Sequence, residues 1–146
     1  MEDNFYFKSG KFRIHKNEDE ETNPGCYGKE LGLWLCEEFT KLGYDVEELI
    51  PEDWGWCVMC SRDEYLLWIG CGAMSDHENY NPDNPPEGRD VTWLAFPHIE
   101  VPFFKFKSLF KKWTGGLDLD QPLKKLKEEL QSLLENETEI ELCDEP

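Results

Sequence analysis

Two apolar runs separated by four residues constrain this chain more than any other feature in it. Trp54 to Cys60 and Tyr65 to Cys71 flank Ser61-Arg62-Asp63-Glu64. A link that short joins strands as an antiparallel hairpin, since parallel strands need a crossover of roughly a dozen residues or more. Both runs are nearly continuous in apolar residues, so they are expected to lie centrally in a sheet and to be covered on both faces.

The period is different upstream. Tyr27, Leu31, Trp34, Leu35, Phe39 and Leu42 recur at helical spacing, with Lys29, Glu30, Glu37, Glu38 and Lys41 opposite. Asn23 is the expected cap and Pro24 the first helical residue; Gly43 is the expected stop. Before this helix, Asn4 to Lys16 reads as one bent strand or a short hairpin, and Glu18-Asp19-Glu20-Glu21 as a solvated loop. After it, Tyr44 to Ile50 reads as a strand. Residues 73–89 form a long polar loop, and Asp90 to Ile99 a strand in which Pro97 marks an edge or an end.

The spacing of Phe103, Phe106, Phe110 and Trp113 is 3, 4, 3, which predicts a short helix. It carries four lysines and no acid, a local charge of +4, and its lysines are expected to face the protein's own acids while its aromatics pack inward. Pro122 opens a last helix with Asp120 or Gln121 as cap and Leu123, Leu126, Leu130, Leu133 and Leu134 as its stripe. Glu137 to Cys143 alternates as a terminal strand. The sum is α+β: a mostly antiparallel sheet packed by two main helices and one short basic aromatic helix.

The 146 residues fit one domain, 1–146. With 15 Lys and Arg against 32 Asp and Glu the net charge is −17. Aromatics make up 14%, too many for a disordered acidic tail. The charge argues against nucleic acid as a ligand, because phosphate binding needs a basic face. There is no membrane-length apolar run and no apolar signal core at the start, so a soluble, cytoplasmic protein without membrane association is expected. Six cysteines without an export signal are expected to be reduced, mostly buried thiols.

No cofactor or metal motif stands out. Cys57-x-x-Cys60 lacks a second pair, has no glycine between, and on a strand would place its sulfurs on opposite faces. Asp76, Glu78 and Asp83, with His77, Asn79 and Asn81, offer oxygen atoms in the long loop but lack calcium-loop spacing. No nucleophile elbow or phosphate loop is present. The densest cluster is Pro51-Glu52-Asp53-Trp54-Gly55-Trp56, two carboxylates beside two indoles. Glu52, Asp53, Trp54 and Trp56 are therefore candidate binding residues, and Asp76, Glu78 and Asp83 a second set. A catalytic alternative would need Glu52 and Asp53, with Asn23 or Tyr27, to converge in a pocket.

Thr22-Asn23-Pro24-Gly25-Cys26-Tyr27-Gly28-Lys29, the helix after it, Gly43-Tyr44-Asp45-Val46 and Glu52-Asp53-Trp54-Gly55-Trp56 together resemble a family of small acidic bacterial proteins with no assigned activity. The resemblance spans about residues 20–72 and implies a bacterial or phage origin and a single compact domain. From the charge, the expected function is an acidic interaction or inhibitor domain, of the immunity-protein, anti-defence or DNA-mimic type, that engages a basic protein partner.

Overall fold

The structure, a computed structural model, describes residues 3–74 and 78–146. In chain order these form β1 (Phe5–Ser9), α1 (Lys29–Lys41), β2 (Ile50–Glu52), β3 (Gly55–Arg62), β4 (Leu66–Ala73), β5 (Trp93–Glu100), α2 (Phe106–Trp113), α3 (Asp120–Asn136) and β6 (Ile140–Cys143). The strands make one six-stranded sheet, in the order β2-β3-β4-β5-β1-β6. Every pairing is antiparallel. The fold is α+β.

The hairpin demanded by the short link is β3–β4, with Trp56 opposite Cys71 and Met59 opposite Trp68, and a bulge between Met59 and Ser61. Side-chain alternation then sorts the sheet into two faces. Trp56, Val58, Cys60, Leu67, Ile69, Cys71, Trp93, Ala95 and Phe7 enter one core. Leu31, Leu35 and Phe39 of α1 and Leu126, Leu130 and Leu134 of α3 close it from the same side. Each such side chain, taken fully out of water, contributes ~1.5–3 kcal/mol. On the other face of the sheet Cys57 and Met59 are buried as well.

Several segments depart from the sequence expectation. The strand expected from Tyr44 to Ile50 is confined to Ile50–Glu52. Tyr44 is taken by the end of α1: its N–H bonds Phe39 O at 3.2 Å, and Gly43 N–H bonds Thr40 O at 3.1 Å with Gly43 at φ 102°. The Tyr44 ring then packs on Phe39, which completes a Schellman stop. Beyond it Leu49 fills the space that Gly32 leaves on α1, where a Cβ would lie 2.7 Å from the Leu49 side chain. At the start of the chain, β1 ends at Ser9 rather than Lys16. Phe12, 2% exposed, leaves the sheet and plugs the core against Trp34 and Trp93.

The acid run is not a solvated loop. Glu18 and Asp19 are buried in a single 3-10 turn. The Glu18 carboxylate accepts the N–H groups of His15 at 2.7 Å, Gly28 at 2.9 Å and Lys29 at 3.1 Å. It thereby satisfies the free donors at the start of α1, where a negative group is also favoured by the helix dipole. Asn23 is not the cap; α1 begins after Gly28. Likewise α3 is capped by Asp118, whose Oδ1 accepts from Asp120 and Gln121, not by Asp120 or Gln121. Pro97 sits inside β5, but β1 pairs β5 at Trp93 to Ala95. By Pro97 the strand is therefore an edge on that side, where a missing N–H is tolerated.

The basic helix also differs. Of its four lysines one meets an acid of the body: Lys111 Nζ pairs with Glu64 at 2.6 Å, while Lys105 Nζ donates to the backbone carbonyl of Asp63 at 2.6 Å. Its aromatics do not pack inward. Phe103, Phe104, Phe106, Phe110 and Trp113 are 61–81% exposed. Among the described residues no helix is long and apolar enough to cross a membrane.

Candidate partner-binding site

The turn between β2 and β3 is where the two sequence motifs meet. Asn23 Nδ2 donates to Asp53 O at 2.9 Å, and Cys26 Sγ lies 3.4 Å from the same oxygen. Tyr27 O accepts from Ala73 N–H at 2.9 Å. Backbones cross here without room for side chains. A Cβ on Gly28 would lie 2.8 Å from Gly72 Cα, and one on Gly55 would lie 2.7 Å from Cys71 O. Gly55 holds φ 152°, a conformation that glycine adopts without steric cost.

That glycine decides where the indoles go. Residues two apart on an unbroken strand share a face, yet Trp54 and Trp56 part company across Gly55. Trp56 is 1% exposed in the core, with Lys29 Nζ 5.6 Å from its ring. As a binding residue it is thereby corrected: it supports the turn and cannot meet a partner. Trp54 is 47% exposed and lies across the face of the sheet opposite the helices.

There it builds an aromatic plate. The Trp54 ring stacks on Trp68 at 5.6 Å and 25°, and meets Phe96 at 5.9 Å. Trp68 also contacts Phe96 at 5.9 Å and His98 at 4.7 Å. Phe96 can lie flat because Gly70 sits beneath it; a Cβ there would be 2.4 Å from Phe96 Cζ. Trp68 Nε1 donates to Glu100 at 3.3 Å, so the plate is anchored at one rim by a carboxylate. Glu52 and Asp53 are exposed beside Trp54. Indole faces carry negative quadrupole potential, and the carboxylates add formal charge of the same sign. Both contributions make the potential over the exposed ring faces negative.

Asp76 and His77 lie outside the described residues. Glu78 and Asp83 are exposed. Asp83 has its carboxylate 3.7 Å from Lys16 Nζ and its N–H bonded to Asn81 Oδ1. The structure thus joins Glu52, Asp53 and Trp54, and gives Asp83 a different partner. Glu52, the last residue of β2, and Asp53, on the turn after it, are exposed, Asn23 is held by Asp53 O, and Tyr27 is buried with its pKa raised to about 12 by that burial and by Asp19. A cleft of about 1150 Å³ lies at the opposite end of β3–β4, among Tyr44, Arg62, Tyr65, Lys124, Lys125 and Glu128. Cys57, Cys60 and Cys71 are buried thiols whose pKa values burial drives up, to about 12 for Cys57 and Cys60. Cys60 belongs to the core and Cys57 alternates away from it, so the two sulfurs do not converge.

Trp68, Phe96, His98 and Glu100 were not among the candidate residues. Their signal was present: Trp68-x-Gly70 and Phe96-x-His98 alternate against Leu67, Ile69 and Ala95. It could be used only with the register that places Trp68 opposite His98 and Gly70 opposite Phe96.

Beyond the plate, the chain as a whole carries a large excess of acid. If each of the 15 Lys and Arg neutralised one acid, 17 of the 32 acids would still be unpaired. Both edges of the sheet are acidic in sequence, with Asp45, Glu47, Glu48, Glu52 and Asp53 around β2 and Glu137, Glu139, Glu141 and Asp144 around β6. No family model matches the chain, and no curated protein or solved structure is found to match it.

Proposed function

We propose that this protein is a non-catalytic interaction module that engages a basic protein partner, in the manner of an inhibitor or DNA mimic, in the cytoplasm. The observation that carries the reading is the half-exposed Trp54 stacked on Trp68 and Phe96, with Glu52, Asp53 and Glu100 around it. A solvent-facing tryptophan on a rigid sheet resembles an interface anchor, since Trp and Arg dominate binding energy at protein contacts. An arginine or lysine seated on the indoles would gain ~0.5–2 kcal/mol from the ring faces. The excess negative charge speeds encounter with basic partners and rejects acidic ones. Cys57, Cys60 and Cys71, buried as thiols in the sheet, fit a reducing setting.

Titration of the full chain with an arginine-rich peptide, followed by tryptophan fluorescence, tests this. Binding is expected to weaken with salt and to fall about tenfold, ~1.4 kcal/mol, in Trp54→Ala. Peptide binding that is unchanged in both Trp54→Ala and Glu52→Gln/Asp53→Asn would overturn the site. A poly-aspartate peptide should not bind.

A further inference from the structure

The helix α2 is turned inside out. On an ordinary surface helix the apolar stripe faces the core. Here Ser108 is the buried residue, Lys105 and Lys111 reach back to Asp63 and Glu64, and Phe103, Phe106, Phe110 and Trp113 project outward at spacings of 3, 4 and 3. With Phe104 the group makes a concentrated aromatic surface, the kind that marks a contact site.

We infer that this surface is covered by a second copy of the chain: α2 of each molecule seats on the Trp54–Trp68–Phe96 plate of the other, in a closed two-fold pair. Charge complementarity is the first argument. Residues 103–113 carry four lysines and no acid, and the plate is rimmed by Glu52, Asp53 and Glu100. Lys107, one residue after Phe106 and three before Phe110, is exposed at the flank of the stripe and free to reach such a rim. Area is the second. Five aromatic side chains at ~150–250 Å² each, exposed to this degree, offer on the order of 700 Å². A stable interface needs about 800 Å² per partner, and in the paired arrangement each copy contributes its plate as well as its helix. Mutual seating also closes the assembly, whereas a one-way contact would propagate into filaments. An anionic membrane is a poorer fit. Two of the four lysines face the protein itself, and the rest of the chain carries 11 basic against 32 acidic residues, −21, which such a surface repels.

The inference shares with the proposed function the premise that the plate is a docking surface. It adds a regulation: the second copy occupies the plate, so a basic partner must displace it.

Sedimentation of the full chain over a wide concentration range is the test. The mass should double with concentration. Phe106→Ser/Phe110→Ser/Trp113→Ser should stay monomeric, and Trp54→Ala should weaken pairing at least tenfold. Glu52→Lys/Asp53→Lys should abolish pairing alone and regain part of it when combined with Lys107→Glu. A wild-type chain that is monomeric throughout overturns the inference, whether α2 folds back in the same molecule or floats with phosphatidylglycerol vesicles. A dimer that survives Trp54→Ala also overturns it, since the helices would then be packing on each other. The arginine-rich peptide, titrated against the triple serine variant, separates the two claims. Binding there beside a monomeric wild type sinks the pairing and leaves the partner reading; a plate-dependent dimer that ignores the peptide does the reverse.

Discussion

Glu18 shows how much one side chain can settle. Its carboxylate receives three backbone N–H groups and holds the entry to α1 against the sheet. Hydrogen bonds to charged groups contribute ~1.5–3 kcal/mol each, and an unsatisfied buried donor costs ~1–3 kcal/mol. Glu18→Ala is therefore expected to destabilise by ~3 kcal/mol or more, read as a drop in the urea midpoint. Glu18→Gln, which keeps one acceptor, should fall between. A change within ~0.5 kcal/mol, the range of ordinary surface substitutions, would mean the contact does not hold the helix. A run of four acids reads as solvated because nothing nearby in sequence accounts for it. Two of the three donors, Gly28 and Lys29, lie ten and eleven residues on, and pairing over that distance is visible only once the chain is folded.

Elements tell a matching story about what a pattern contains. The stripes of α2 and α3 are both regular, and sequence periodicity locates both helices. For α3 it also identifies the buried residues, Leu126, Leu130 and Leu134. For α2 it does not, because period reports that a helix has two sides, not which side the rest of the molecule covers. Leu130→Ala should cost ~2–5 kcal/mol. Phe110→Ser, at 66% exposure, should change monomer stability by no more than ~0.5 kcal/mol. Denaturant melts at low protein concentration would show this, and a large loss in Phe110→Ser would place α2 inside the core after all. The hairpin, α1, β5 and β6 were legible for similar local reasons. The plate was half legible: Glu52, Asp53 and Trp54 stand together in sequence, while Trp68, Phe96 and Glu100 join them through pairing between strands.

Across the whole molecule, ionisation links stability to pH. Burial raises the pKa of Cys57, Cys60 and Cys71, and burial with Glu129 raises that of Tyr44. Each raised group favours the folded state fully below its unfolded pKa, ~8.5 for a thiol and ~10 for a phenol. As pH climbs past those values the unfolded chain loses protons first, so it binds fewer than the native state and stability falls. The urea midpoint should drop between neutral pH and the region above pH ~9. Added salt, which screens surface repulsion but not a buried thiol, should restore only part of it. A flat profile would show that the thiols are reachable by solvent.

The position of β1 has a consequence for how the chain is made. β1 is flanked by β5 and by β6, both far downstream of it, and Ser9 Oγ donates to Glu139 O across 130 residues. Contacts spanning such distances slow folding, because a long loop must close before they form. A polypeptide emerging from the ribosome carries Phe7 and Trp93 long before α3 and β6 arrive to enclose them. Until then the nascent molecule presents an uncapped β-layer to its neighbours, and the acids bordering β2 are its main local safeguard against clumping.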